Sequence, residues 1–128
     1  MALTDIPTGQ LAVALREGEE ASAAELLALV SSRDVKIRES LAAREDAPLT
    51  ALLHLAQDGR ASVREALAGN AIIAEANSVI TLLAQDRDID VVLALVNNKA
   101  IEPLRLRILL DHGKKKVREA VEQRLAAR

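Results

Sequence analysis

Apolar residues recur along this chain in short segments with the spacing of amphipathic helices. Val63, Ala66 and Leu67 are spaced i, i+3 and i+4, and Leu49 and Leu52 begin a second segment of the same type. The Val and Ile residues lie among Ala, Leu and Glu, without the period-two alternation of strands. The pattern therefore predicts an all-α protein. We predict short helices at residues 9–17, 22–31, 34–44, 47–57, 61–69, 74–85, 88–97, 101–112 and 114–127.

Polar residues and turn formers mark the predicted helix ends. Ser22–Glu25 and Ser62–Glu65 have the capping-box pattern, in which the first and fourth residues exchange hydrogen bonds with backbone N–H groups. Asp46 can cap a helix that has Pro48 in its first turn. Left-handed C-caps are predicted at four positions: Gly59, Asn70, Asn98 and Gly113.

One hexapeptide recurs through the chain and reveals an internal repeat. Val63–Ala68 is matched by Ile37–Ala42 and, more loosely, by Val117–Glu122. Because helices this short cannot bury an apolar face alone, neighbouring helix pairs must stack. The repeat anchors are evenly spaced, except for a two-residue insertion in the third interval: Leu11, Ile37, Val63, Val91 and Val117.

Stacking of these pairs predicts a right-handed α-solenoid of about 4.5 two-helix repeats. The whole chain, residues 1–128, is interpreted as a single domain. In the last helix Val117, Val121 and Leu125 lie on one side and charged residues lie elsewhere, which is typical of a terminal cap. The predicted repeats are residues 11–33, 34–59, 60–87 and 88–113, followed by a capping helix at 114–128.

The repeated motif also resembles a known family. The pattern Leu-Ala-x-Asp-x-x-x-x-Val-Arg-x-Ala-Leu-Ala-x-Asn occurs whole at residues 55–70 and in part at 29–44 and 83–98. It is similar to the bacterial leucine-rich repeat variant family and its HEAT-like relatives, over roughly residues 11–128. The resemblance implies a curved, two-layered solenoid that usually binds on its concave face. The cysteine-bound iron–sulfur segment of that family's founding type is not carried over, because this chain has no Cys.

In HEAT-like repeats the Val-Arg position commonly joins Asp residues in a polar ladder between repeats. The resemblance implies this role for Arg38, Arg64 and Arg118, with Asp34 and Asp58 as acceptors. In the fourth unit the position is instead apolar, within the segment Val91-Val92-Leu93-Ala94-Leu95-Val96. We interpret this segment as a helix buried on both sides, and the alternative is an exposed patch for dimerisation or a partner.

The composition removes several classes of function. The chain has no Phe, Trp, Tyr or Cys, although 50% of its residues are hydrophobic. Without rings it cannot stack on bases, and without Cys it has no disulfide, thiolate nucleophile or thiolate metal site. The N-terminal residues carry no positive region, and no apolar run approaches the roughly 18 residues of a spanning helix. We therefore expect a cytoplasmic protein that does not enter membranes.

Charge is distributed unevenly along the chain. Residues 1–98 contain 8 Lys+Arg and 15 Asp+Glu, a net charge of −7, whereas residues 99–128 contain 9 and 4, a net charge of +5. The two sum to the −2 of the whole chain. This asymmetry indicates a charged partner or a head-to-tail self-contact, although helices with solvated charges show it too.

No constellation of residues indicates catalysis. Asp86–Asp90 begins like a calcium loop, but Val91 stands where Gly is needed and Asn97 where Glu is needed. His54 and His112 are more than two repeat units apart and do not hold equivalent repeat positions. No HExxH, GxSxG, P-loop or GxGxxG motif occurs. We therefore predict a non-enzymatic protein with no metal and no cofactor.

The scaffold favours a protein–protein interaction module that binds its partner in a groove lined by the second helices of the pairs. Because Trp and Tyr are missing, Arg and Leu would supply the affinity. On a helix over 101–112, Arg105 and Arg107 would diverge and flank buried positions that include Leu104 and Ile108. The predicted partner-binding residues are Arg64, Arg105 and Arg107.

Two alternatives remain open for the function. In the first, the basic C-terminal third binds the phosphate backbone of a nucleic acid by charge, with salt-sensitive affinity. The residues for this role are Lys114, Lys115, Lys116 and Arg118. In the second, the chain forms homo-oligomers in which the acidic N-terminal part of one copy meets the basic C-terminus of the next.

Overall fold

Helices make up the regular structure of residues 22–127, the part of the chain that the computed structural model describes. No strand occurs within these residues, so the predicted all-α class is confirmed there. The α-helices of this part are α1 (Ala23–Ala28), α2 (Val35–Ala42), α3 (Leu49–Leu55), α4 (Ala61–Ala68), α5 (Asn77–Ala84), α6 (Ile89–Val96) and α7 (Lys115–Ala126). Its 3₁₀ helices are η1 (Leu29–Ser31), η2 (Ala71–Glu75) and η3 (Pro103–Leu109). The helix predicted at 9–17 lies outside the described residues.

The helix starts agree with the sequence at some positions and not at others. The capping box at Ser22–Glu25 is confirmed, since Glu25 N donates to Ser22 Oγ at 3.1 Å and Ser22 N donates to Glu25 Oε1. The second predicted box is wrong, because α4 starts at Ala61 with Arg60 as its N-cap. Ser62 lies inside this helix and so cannot be its N-cap. In the turn before the helix, Asp58 Oδ1 accepts from Arg60 N at 2.9 Å.

Other predicted caps also have different roles. Pro48, not Asp46, is the N-cap of α3, and Asp46 pairs with Arg44 instead. The predicted left-handed C-caps at Gly59 and Gly113 are wrong, because neither glycine adopts a left-handed backbone conformation. At both places the chain turns with backbone angles that other residues can also adopt, so these glycines carry no conformational requirement.

The helices pack as two rows. In the first row α2 packs against α4, α4 against α6, and α6 against α7. In the second row α1 packs against α3, and α3 against α5. Contacts from α3 to α4 and from α5 to α6 join the rows, and η3 packs against α7. Stacking in rows gives each short helix neighbours that cover its apolar face, which it could not bury alone.

The core between the rows contains only aliphatic side chains, in a single cluster of buried residues within the described chain. Val63 and Leu67 of α4 are fully buried there. The equivalent buried pairs of the other first-row helices are Ile37 and Leu41, Val91 and Leu95, and Val117 and Val121. In α6 Val92 and Val96 are buried as well, which confirms the interpretation of that segment as a helix covered on both sides.

Candidate functional site: a groove beside a 3₁₀ helix

The segment predicted as an α-helix over 101–112 forms the 3₁₀ helix η3 instead. A 3₁₀ helix has three residues per turn, so residues three apart share a face. Leu106 and Leu109 lie on the buried face of η3. Leu104 and Ile108 lie on its other faces and are 52% and 61% exposed. The prediction that these two residues are buried is therefore wrong, because it assumed the α-helical period.

An open groove of about 710 Å³ separates η3 from α5, and we call it the α5–η3 groove. Its apolar lining consists of Ile80 from α5 and of Leu104, Ile108 and Leu110 from η3 and the residue that follows it. Monomeric proteins seldom leave large aliphatic side chains clustered in contact with water unless the surface binds something. The apolar walls of this groove therefore mark it as a candidate binding site.

Two of the predicted partner-binding arginines, Arg105 and Arg107, line this groove. Arg105 is half-buried, and its guanidinium donates to the carbonyl oxygen of Ala74 and to Asn77 Oδ1. Ala74 belongs to η2 and Asn77 begins α5, so Arg105 fastens η3 to the opposite wall of the groove. Arg107 is exposed, and its guanidinium has no ion-pair partner among the described residues.

The polar lining of the groove also includes Thr81 and Asp111. Thr81 Oγ1 donates to the carbonyl oxygen of Asn77 at 2.9 Å, within α5. Asp111 is exposed and lies just beyond η3. Beside its aliphatic walls the groove thus presents the Arg107 cation, which pairs with no acid of residues 22–127, and the Asp111 carboxylate.

Arg64, the third predicted partner-binding residue, lies away from the groove and inside the fold. It is 6% exposed, and its Nε donates to Asp86 Oδ2 at 2.7 Å. Its Nη1 donates to the carbonyl oxygen of Asp58 at 2.6 Å. The hydrogen bond to Asp86 raises the pKa of Arg64 above its ordinary value, so the guanidinium stays charged. We assign Arg64 to the interior of the fold instead of a partner surface.

Equivalent arginines on other helices make related contacts. Arg38 Nε donates to Asp58 Oδ2 at 2.8 Å, and its Nη1 donates to the carbonyl oxygen of Ser32. Asp58 was one of the two acceptors that the sequence indicated, but the other, Asp34, is the N-cap of α2 instead. We call the two pairs Arg38–Asp58 and Arg64–Asp86 the ion-pair ladder. Both pairs link one first-row helix to the turn before the next one.

A second ladder, which the sequence pattern does not predict, consists of side-chain donors and backbone carbonyls. Asn70 Nδ2 donates to the carbonyl oxygens of Ala42 and Arg44 at 2.8 and 2.7 Å. Asn98 Nδ2 donates in the same way to Ala68 and Asn70, at 2.9 and 3.0 Å. Both asparagines are buried, and each donates to the carbonyl of the last residue of a first-row helix, Ala42 of α2 or Ala68 of α4, where the helix supplies no further N–H partner. We call this the amide ladder.

Arg124 of α7 occupies the next place in the amide ladder. Its guanidinium donates to the carbonyl oxygens of Val96 and Asn98, and its Nη2 donates to that of Ile101 at 2.7 Å. It follows Asn98 by one repeat length, and Asn98 follows Asn70 by one repeat length plus the two-residue insertion. The repeat spacing in the sequence places Arg124 at the position of the two asparagines, but the residue type differs, so the spacing alone does not predict the shared role. The prediction that Asn70 and Asn98 are left-handed C-caps is wrong for Asn70, whose φ is −83°.

The four cations of the nucleic-acid hypothesis lie at the start of α7. Lys114, Lys115 and Lys116 are exposed, and the side chain of Lys115 forms an i, i+4 pair with Glu119 at 3.6 Å. Arg118 is half-buried, and its Nη1 donates to the carbonyl oxygen of His112 at 2.6 Å. The structure therefore places the three lysines together in solvent and holds Arg118 against the chain.

The acidic segment Asp86–Asp90 and His112 cap the turns before α6 and α7. Asp88 is the N-cap of α6, with its Oδ1 accepting from Asp90 N at 2.9 Å. His112 Nδ1 accepts from Lys114 N at 3.0 Å, so His112 caps the turn before α7. His54 is an exposed residue of α3. Residues 22–127 contain no group of three or more His, Cys, Asp or Glu side chains placed to hold a metal ion.

Within residues 22–127, no helix combines the length and the apolar character that crossing a membrane requires. Comparison of the chain with models of protein families, with curated proteins and with solved structures finds no match. The function must therefore be inferred from the residues of this chain alone.

Proposed function

We propose that this protein is a non-enzymatic protein-interaction module that binds a segment of its partner in the α5–η3 groove. The observation that carries the proposal is the pair Leu104 and Ile108, which stand 52% and 61% exposed on the wall of that groove. Removal of apolar surface from water by a partner is favourable by about 25 cal/mol of free energy for each Å² buried. Arg107 beside them offers a charged hydrogen-bond donor that would orient the partner.

We further propose that the chain is a right-handed α-solenoid of the HEAT-like kind. Its support is the recurrence of the same contacts at the period of the sequence repeat. The ion-pair ladder repeats from Arg38 to Arg64, which are one repeat length apart. The amide ladder repeats from Asn70 to Asn98, which are one repeat length and the two-residue insertion apart. In such an architecture the second row, to which α5 belongs, usually faces the binding groove.

Selection of a random peptide display library on the immobilised full-length chain tests the binding proposal. We expect peptides to be enriched on the wild-type protein and to be lost from the double variant Leu104→Asp/Ile108→Asp by more than about tenfold. The matched control is Leu49→Asp, since Leu49 is 51% exposed on α3 and does not line the groove. Enrichment that is equal on the double variant, or no enrichment on the wild type, would contradict the proposal.

Nucleic-acid binding is the second candidate function, and the exposed lysines at the start of α7 favour it. Lys114, Lys115 and Lys116 lie at the positive end of the helix dipole, where cations repel it and an anion would be stabilised. Filter binding of DNA and RNA across a salt series tests this idea. Retention at low salt that disappears in Lys114→Glu/Lys115→Glu/Lys116→Glu supports it, and no retention at low salt sinks it.

A further inference from the structure

The α5–η3 groove also carries information about the chemistry of its partner. Resting on the proposed function of this groove, we propose that it binds an amphipathic α-helix that presents aliphatic side chains flanked by carboxylates. The proposal depends on three observations: the secondary structure around the groove, the composition of its walls and the exposed cation Arg107.

Known modes of peptide recognition need different surfaces, and most of them are missing around this groove. Strand addition needs the free edge of a sheet, and residues 22–127 contain no strand. Recognition of a proline-rich helix needs aromatic walls, and the chain has no aromatic residue. Capture of a phosphorylated residue needs a cluster of arginines, whereas Arg105 is already bound to Ala74 and Asn77. An amphipathic helix in an apolar groove needs aliphatic walls, and this groove has them.

The walls of the groove suit that mode. Leu104 and Ile108 stand on different faces of η3, because four residues of a 3₁₀ helix turn the chain by more than one full turn. Ile80 of α5 forms the opposite wall. A helix that places aliphatic residues at i, i+3, i+4 and i+7 presents a stripe of side chains that can pack between these walls. The groove is open to solvent, so a chain segment fits it better than an enclosed small molecule does.

Charge decides between an acidic and a basic helix. Arg107 is exposed with no ion-pair partner among the described residues, so a carboxylate of the partner can bind it without breaking an existing pair. Asp111 is the competing group, because it lies in the same lining and would repel a carboxylate beside it. The lining nevertheless carries two cations, Arg105 and Arg107, against this one acid, and the acceptors that Arg105 binds are uncharged, so the net charge of the groove is positive and complements carboxylates. We therefore infer that the partner's carboxylates lie at the Arg107 side of the groove.

Fluorescence anisotropy with three labelled peptides of about 15 residues tests this inference. The first carries Leu at helical spacing flanked by Glu, the second replaces each Glu with Lys, and the third keeps Glu but has two central prolines. We expect the full-length protein to bind the first peptide about two- to fivefold more tightly than the second. The third should bind at least about tenfold more weakly than the first, since proline breaks the helix.

Charge variants of the protein locate the effect. Arg107→Glu should reverse the preference between the Glu and Lys peptides, and Asp111→Asn should strengthen binding of the Glu peptide. Arg33→Glu, a reversal at an exposed arginine outside the groove, should leave the preference unchanged. Far-UV circular dichroism of each variant shows that the fold is kept.

The outcomes separate this inference from the proposed function. If the Lys peptide binds as well as the Glu peptide, or if the proline peptide binds as well as its parent, the inference is wrong. If the Glu peptide does not bind while library peptides of other chemistry still depend on Leu104 and Ile108, the inference also fails and the proposed function stands. If no library peptide depends on these two residues, the proposed function itself is contradicted.

Discussion

Arg64 of α4 and Asp86, in the turn before α6, form a buried ion pair with 2.7 Å between Nε and Oδ2. Their side chains are only 8% and 6% exposed. Asp86 also accepts from Asp88 N at 2.9 Å, so one carboxylate both fixes its own turn and holds the preceding helix. Because the pair is buried and fully bonded, it specifies how α4 is placed relative to that turn.

Loss of either partner should destabilise the fold strongly. Arg64→Ala leaves the Asp86 carboxylate buried without its cation and the carbonyl oxygen of Asp58 without this donor. We expect the free energy of unfolding to fall by about 3–5 kcal/mol. Urea denaturation followed by far-UV circular dichroism measures the change, since the chain has no Trp for fluorescence. Arg33→Ala is the control and should change it by less than about 0.5 kcal/mol. Equal losses in the two variants would contradict the assignment.

At two other places in the repeat, the residues equivalent to the Arg and the Asp of the ion-pair ladder are both replaced. One repeat unit further along the sequence, Val92 holds the place of Arg64 and His112 holds the place of Asp86. The same holds in the sequence at the N-terminal end, one repeat unit before the first pair. There Ala12 holds the place of Arg38, and Ser32 holds the place of Asp58. Arg and Asp are thus lost together, as expected if each is useful only with its partner.

Restoring the missing pair tests this reasoning. Val92→Arg alone should destabilise the fold, because it buries a charge without its partner. His112→Asp alone should change the stability much less, because it places a carboxylate in the half-buried turn before α7, at the positive end of the helix dipole. In the double variant the two charges should pair as Arg64 and Asp86 do, and the carboxylate introduced at position 112 would still accept from Lys114 N. We expect a favourable coupling energy of about 1–3 kcal/mol in a double-mutant cycle of unfolding. Additive effects would show that position 92 does not face position 112.

The helices and the repeat were readable from the sequence because they depend on local spacing of apolar residues. The burial of Val92 and Val96 followed from the same pattern. The sequence alone does not show which aspartate pairs with each arginine of the ion-pair ladder. Asp34 and Asp58 both lie near an arginine in the sequence, but Asp34 caps α2 and Asp58 binds Arg38 from a different turn. Only the packing of neighbouring helices decides which of these two aspartates pairs with Arg38.

The geometry of η3 could not be read from its sequence, because two apolar patterns overlap there. Ile101, Leu104 and Ile108 fit the stripe of an α-helix, whereas Leu106 and Leu109 fit the three-residue period. The structure buries Ile101, Leu106 and Leu109 and exposes the other two. In the structure η3 packs against α7, and its 3₁₀ form leaves Leu104 and Ile108 exposed at the candidate site.

The amide ladder should require a donor at Asn98. Asn98→Asp keeps the oxygen that accepts from Ala100 N at 3.0 Å but replaces the NH₂ group with a second acceptor. That acceptor would face the carbonyl oxygens of Ala68 and Asn70. We expect a loss of at least about 1–3 kcal/mol in the free energy of unfolding, measured by urea denaturation.

Asn97→Asp is the matched control for the amide ladder. Asn97 is exposed at the C-cap of α6, where a carboxylate meets only the negative end of the helix dipole. Its cost should stay within a few tenths of a kcal/mol, near the lower limit of such dipole effects. A similar cost for the two substitutions would mean that the Asn98 amide is not an essential donor.

The pair Arg44–Asp46 should give the protein a small acid-dependent stability. Arg44 Nε and Nη2 donate to the two Asp46 oxygens at 2.7 Å each, and these hydrogen bonds lower the pKa of Asp46 below its ordinary 3.8. The folded state therefore binds the proton of Asp46 more weakly than the unfolded state does. The stabilisation is fully present above pH 3.8 and is lost as the pH falls through the lower pKa of the folded state.

Asp46→Asn measures this contribution in urea denaturation at neutral pH and at a pH of about 3. The Asp46 side chain is 47% exposed, so solvent screening should keep the effect below about 1 kcal/mol. We expect the variant to be less stable than the wild type at neutral pH and the difference to shrink in acid. Glu45→Gln removes a neighbouring exposed carboxylate that forms no ion pair within residues 22–127, and it is the control. A difference that grows as the pH falls would have the wrong sign for a pair that stabilises the ionised carboxylate.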